Sequence, residues 1–199
     1  YQIGTTNLYL VDNTRAEIFS PDPDDHREMM VRVWYPAQSM PGGKGGRSAR
    51  APLMEQPPFQ LGHLSLVKTH AYQDAPVSKA QSAFPVLIFS HGHVGFMEQN
   101  LTLMEELASR GYIVCSIAHT YHTIVTTFPD GRVVAADAIL ANNFLQGKSP
   151  PPDITAEHLR VWTEDTHFLI DELERIQAGE RESLLVGKMD LNRLGVFGQ

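Results

Sequence analysis

The sequence predicts an α/β fold, with a mostly parallel sheet and helices on both faces. The first observation is that, from Phe84 onward, short apolar runs alternate with segments of helical period: Pro85–Ser90, Met97–Arg110, Tyr112–Ala118, a long helix, then Leu194–Phe197. Buried strands joined through helices pair in parallel with right-handed crossovers, which places helices on both sheet faces. The second is that strand-like segments ahead of Phe84 have no clear helix between them, so they add antiparallel strands at one edge.

Each element follows from its residues. Leu8–Val11 is a short apolar run. Met29–Tyr35 alternates, with Val31, Val33 and Tyr35 on one face and Met30, Arg32 and Trp34 on the other, and Pro36 ends it. Ser20–Asp25 is a turn-rich acidic connection. Residues 38–50 are rich in glycine and basic, with no Lys-Ser/Thr pair after Gly42–Gly46, so they read as a flexible surface loop and not a phosphate cradle. Leu53–Ala83 carries Pro57, Pro58 and Pro76 and reads as loop with one short helix. Met97, Leu101, Met104 and Leu107/Ala108 share a helix face that Gly111 stops. Thr127–Val133 holds a Pro-Asp-Gly turn between β-formers, a hairpin signal. After the breaker Ser149–Asp153, Thr155 is expected to cap a helix running to about Gln177. One face of it is lined by Leu159, Trp162, Thr166, Leu169, Leu173 and Ile176, and Gly179 ends it. The strand ends at Ser90, Ala118 and Phe197 then share one side, where ligands of such sheets bind.

Bulk properties narrow the function. The chain has 199 residues, 42% hydrophobic and 20% charged, which fits one globular domain or most of a larger one. A net charge of −7 argues against a nucleic-acid partner, which needs a basic patch. No apolar run is long enough for a transmembrane helix. Cys115 is the only cysteine, so neither an intrachain disulfide nor a Cys-rich metal cage can form. The compartment stays open, leaning toward a secreted or periplasmic one.

Three constellations could carry chemistry. The first is His91-Gly92-His93-Val94-Gly95, directly after a buried strand. A strand that turns sharply into such a segment can aim backbone N–H groups at one point, as acyl transfer requires. The plain alternative is a tight strand-to-helix turn whose histidine bonds the backbone. The second is Gly195–Gln199, where a strand ending in Gly198-Gln199 opens like the Gly-x-Ser-x-Gly nucleophile elbow, with Gln199 just before the expected serine. The third is the histidine set His91, His93, His119 and His122. No carboxylate or second ligand pair stands at zinc-protease spacing, so no metal and no cofactor is expected. His119 and His122 follow a buried strand and are expected near the cleft. His26, His63, His70, His158 and His167 read as surface or satisfied residues. Asp137, Asp165 and Asp190 read as structural or solvated.

Phe84–Phe96 resembles the platelet-activating-factor acetylhydrolase family of lipase-like α/β-hydrolases. Val31–Ala37, Leu107–Val114 with Ala118-His119, and Asp190–Gln199 agree with its early strand, its second helix-strand unit and the strand leading to its elbow. The resemblance covers about two thirds of the chain and departs at Ala118-His119-Thr120-Tyr121, where the family has a Glu-His-Arg-Asp run. It implies an α/β-hydrolase fold and hydrolysis of short or oxidised acyl esters by a Ser-His-Asp triad. It also implies the backbone N–H of His93 as one oxyanion donor, with His91, Gly92, Val94, Gly95, Phe96, His119, His122 and Gly198 around the substrate. On this reading residues 1–199 are the N-terminal part of one hydrolase domain, with 84–199 its core, and the triad lies past Gln199. A C-terminal segment, on a second chain or cut from this one, is then expected to cover the apolar edge of the last strand. A polyester, lactone or amide hydrolase of the same fold and a non-catalytic hydrolase-like binding module are the competing readings.

Overall fold

In the computed structural model, residues 1–39 and 69–198 are described. Most of the Gly-rich loop expected over 38–50, the first part of Leu53–Ala83, His63 and Gln199 lie outside them.

The backbone is organised by β2 (His26–Ala37), whose two faces are both buried. It pairs antiparallel with β1 (Gln2–Ala16) on one side and with β5 (Ile113–Ala118) on the other. A short β3 (Ala71–Gln73) runs parallel to β1, while β4 (Phe84–Ser90) lies between β5 and β8 (Met189–Gly198), parallel to both. The six-stranded order is β3-β1-β2-β5-β4-β8, which leaves β8 at an edge among the described residues. The expected parallel core with an antiparallel flank is therefore present. A separate hairpin, β6 (Val125–Thr127) and β7 (Val133–Ala135), turns through the predicted Pro-Asp-Gly, with Gly131 at φ 89°.

Helices cover both faces. Met104 and Ala108 of α1 (Leu101–Ser109) pack with Trp34, Phe89 and Val114. On the other face, Leu169, Leu173 and Ile176 of α3 (Pro152–Ala178) pack with Val31, Val33, Tyr35, Ile88 and Cys115. The face split read from Met29–Tyr35 holds residue by residue.

Several boundaries differ from expectation. α1 begins at Leu101, not Met97, because residues 97–100 form turns and Asn100 takes a left-handed conformation at φ 62°. α3 begins at Pro152, which suits a first helical turn because its missing N–H has no partner to lose. Thr155 is thus inside the helix, its hydroxyl donating to the Pro151 carbonyl at 3.0 Å. Leu159 is exposed, and the buried stripe is His158, Val161, Trp162, Asp165, Leu169, Glu172, Leu173 and Ile176. Gly179 closes the helix at φ 81° and Gly111 closes α1 at φ 100°, as read. The helix α2 (Ala138–Leu145) was not anticipated. Asp137 caps it, accepting from the N–H groups of Ile139 and Leu140.

The first strand has one close approach. A Cβ on Gly4 would stand 2.2 Å from the Tyr35 ring, and that ring is held by its hydroxyl donating to Ala75 O at 2.8 Å. The ring cannot move aside cheaply. Gly4→Ala should therefore destabilise the protein by about 1–3 kcal/mol, seen as a lower urea midpoint at unchanged slope. An unchanged midpoint would show that the ring yields freely.

Candidate active site

The site grows out of the layer between the sheet and α3. Three strands present apolar residues to α3, and each continues that face with a polar one. Arg27 continues Met29, Val31 and Val33 in β2, Ser90 continues Val86 and Ile88 in β4, and His119 continues Cys115 and Ile117 of β5. On α3, Asp165 stands one helical turn before Leu169 on the same stripe. The apolar layer thus ends in four polar side chains that meet.

They meet around Asp165, which is fully buried. Its Oδ1 accepts from Arg27 Nε at 3.0 Å and Arg15 Nη2 at 2.9 Å, and its Oδ2 from Arg27 Nη2 at 2.6 Å. His119 Nδ1 lies 2.9 Å from Oδ2. Arg27 also donates to Glu17 at 2.8 Å and to the Thr120 carbonyl at 2.9 Å, so each of its three nitrogens is engaged. Burial opposes the Asp165 charge, but Arg27 and the bonds from His119 and Arg27 outweigh it, holding the carboxyl well below the usual carboxylate range. Of the sequence reading of Asp165 as structural or solvated, the solvated alternative is overturned: the carboxylate is sealed from water and bound to the buried His119.

An ionised carboxylate only accepts, so His119 carries its proton on Nδ1. Its bare Nε2 then accepts from the Ser90 hydroxyl at 2.9 Å. His119 is fully buried and lies 5.3 Å from Trp162 at an interplanar angle of 18°. Burial, with Arg27 and Arg15 nearby, lowers its pKa in spite of Asp165.

The predicted loop follows Ser90. His91 is fully buried; its Nδ1 donates to Gly92 O at 2.7 Å, and its Nε2 faces the His119 N–H at 3.4 Å. Val94 is buried at φ 55°, and its N–H donates to His122 O at 3.0 Å. Gly95 donates to Gly92 O at 2.9 Å and accepts from the Ile124 N–H at 2.9 Å and the Thr123 hydroxyl at 2.8 Å. Gly95 has no room for a side chain, since a Cβ would stand 2.9 Å from Gly92 O. Phe96 packs among Met97 and Ile124. The segment is thus clamped to residues 119–124, while the N–H groups of Gly92 and His93 meet no acceptor among the described residues. At the other strand end, Gly198 pairs with Ser90, and a Cβ on it would stand 2.3 Å from Ser90 O.

The remaining histidines gather on Trp162, whose Nε1 donates to His122 Nδ1 at 2.6 Å. His122 and His158 rings are 4.2 Å apart, and His93 lies 4.9 Å from the Trp162 ring. His158 is buried, and its Nδ1 has no partner among the described residues, which overturns its reading as a surface or satisfied residue. His26, His70 and His167 are exposed as expected. Among the described residues, no three His, Cys, Asp or Glu side chains are arranged to hold a metal ion. No helix among them is long and apolar enough to cross a membrane. Arg27 and Arg15 were missed in the sequence, although Arg27 sits on a strand face that is otherwise apolar.

Known proteins add to this geometry. The family model described as platelet-activating factor acetylhydrolase, isoform II, matches residues 1–188. The chain is similar to the solved structure of a ferulic acid esterase from Streptomyces cinnamoneus, with 27% identity and a TM-score of 0.74, covering 99% of this chain and 52% of that one. The chain therefore spans about half the length of that esterase. No curated protein matches.

Burial has a consequence for stability. It pushes His91 down to about 3 and His122 down to about 2, below the ordinary histidine value near 6.5. The unfolded chain then binds more protons below about pH 6.5, so stability is complete above that pH and is lost as pH falls. Each ring contributes roughly 1.4 kcal/mol per pH unit in that window. The melting temperature should drop by several degrees between pH 7 and pH 5, before Asp165 titrates. A flat profile over that range would contradict the buried neutral rings.

Proposed function

Because the chain belongs to the platelet-activating factor acetylhydrolase, isoform II, family, we propose that it builds the oxyanion side of a carboxylic-ester hydrolase with an α/β-hydrolase fold. One observation carries this reading: a loop clamped on both flanks leaves the His93 N–H without an acceptor among the described residues, at the C-terminal end of β4. A preorganised donor at such a place stabilises the charge that develops on an ester carbonyl oxygen in the transition state. His91, Gly92, Val94 and Gly95 hold that donor, and Phe96, His119 and His122 shape its surroundings.

The nucleophilic serine, its acid and its base belong, on this reading, to a C-terminal segment that follows Gly198-Gln199 and pairs with the open edge of β8. The greater length of the Streptomyces esterase supports this, and so does the exposure of Val196 on that strand. The preferred substrates are short-chain or phospholipid-type acyl esters. The ferulic acid esterase likeness favours a second reading, a bulky aromatic acyl group.

The complete enzyme should turn over p-nitrophenyl acetate and butyrate faster than methyl ferulate. The reverse order would favour the aromatic reading, and no turnover at all would favour a hydrolase-like binding module. His93→Ala keeps the backbone N–H and should retain kcat within a few-fold. His93→Pro removes it and should cost roughly 100- to 1000-fold in kcat, with melting curves to confirm folding. Equal activity of the two variants would rule out this donor.

A further inference from the structure

Ser90 is the last residue of β4 and the covalent neighbour of the clamped loop. Its hydroxyl lies 2.9 Å from His119 Nε2, and His119 Nδ1 lies 2.9 Å from Asp165 Oδ2. The spacing is that of a Ser-His-Asp triad, but the surroundings do not suit a nucleophile. A triad imidazole must take the serine proton and then pass it to the leaving group. His119 is fully buried, stacked on Trp162 and edged by His91 at 5.3 Å. A triad carboxylate must also favour the imidazolium. Here Arg27 and Arg15 already engage Asp165, and both disfavour a charged His119.

What the array enforces is direction. Asp165 fixes the proton on Nδ1, the bare Nε2 requires Ser90 to donate, and Ser90 loses its rotational freedom. Ser90 Oγ meets no other partner among the described residues. The loop beyond it is tied to residues 119–124 through His91, Val94 and Gly95. Ser90 supplies the remaining tie, at the point where the strand becomes the loop.

We propose that Ser90 is a positioning residue for ester hydrolysis: His119 and Asp165 clamp its hydroxyl, and the clamp sets the start of the 91–95 loop so that the His93 N–H meets the developing oxyanion. The proposal rests on the oxyanion reading of that loop. The oxyanion exists only in the transition state, so loosening the clamp lowers kcat and leaves substrate binding nearly unchanged.

The test uses the complete enzyme and its Ser90→Ala, Ser90→Thr, His119→Asn and Ser90→Ala/His119→Asn variants. The readouts are kcat and KM on p-nitrophenyl acetate, inhibition by a phenyl trifluoromethyl ketone, fluorophosphonate labelling and melting temperature. The ketone adds the nucleophile and places an anionic oxygen in the hole. Ser90→Ala should lower kcat and weaken the ketone by about tenfold each, with KM within about twofold, since misplacing a donor costs less than removing one. Ser90→Thr keeps a hydroxyl and should restore most of the loss. The double variant should be no worse than the worse single one, because both break one clamp. An active wild type with an unaffected Ser90→Ala would overturn the proposal, as would a loss shared by Ser90→Thr or matched by a rise in KM. Fluorophosphonate attached to Ser90 itself would make it the nucleophile and overturn the positioning role. A wild type inert to ester, ketone and probe would overturn the hydrolase reading, and this proposal with it.

Discussion

The buried contact between Asp165 and Arg27 is the constraint on which the rest of this structure depends. Taking two charges out of water is expensive, and such a pair persists only when nearly every donor and acceptor finds a partner. Asp165 accepts from Arg27 twice, from Arg15 and from His119, and Arg27 reaches onward to Glu17 and the Thr120 carbonyl. Removing one partner of a buried pair typically costs about 3–5 kcal/mol, because the other is left charged and alone. The pair joins α3 to β2 at the polar end of an otherwise apolar layer, so it also sets where α3 lies along the sheet.

Chemical order spreads outward from that contact. The ionised carboxylate fixes the tautomer of His119, the tautomer fixes the direction of the Ser90 hydroxyl, and Ser90 leads into the 91–95 loop. Residues 119–124 hold the other side of that loop through backbone and hydroxyl bonds. Trp162 stacks on His119 and donates to His122, closing the group from above on the same helix that carries Asp165. Family membership and the partial esterase likeness match this architecture.

Much of the fold was legible because its signals are local. Apolar runs of strand length, the alternation in Met29–Tyr35, and the closing glycines Gly111 and Gly179 depend on nearby residues alone. The start of α3 was misplaced because Pro152 looks like a breaker, although proline suits the first turn. α2 was missed because its eight residues carry a weak apolar stripe, and its one clear sign is Asp137 as a cap. The His91–Gly95 segment was found as a motif, but its partners were not. Asp165 lies 46 residues from His119 and 138 from Arg27, and no spacing rule links positions that tertiary packing brings together. One sign was available: Arg27 and His119 each extend a strand face that is otherwise apolar, where a charged or polar residue must have a partner. Leu159 was misplaced for the opposite reason, since its face of α3 is open.

The central claim is that burial, with Arg27 and Arg15 nearby, holds His119 neutral and that Asp165 fixes its proton on Nδ1. The most direct measurement is the ¹⁵N chemical shift of both ring nitrogens in histidine-labelled protein, assigned with the His119→Asn variant and followed from pH 8 to pH 5. Nδ1 should be protonated and Nε2 bare at neutral pH, with any titration shifted below the ordinary histidine range. A proton on Nε2, or an imidazolium at neutral pH, would contradict that claim.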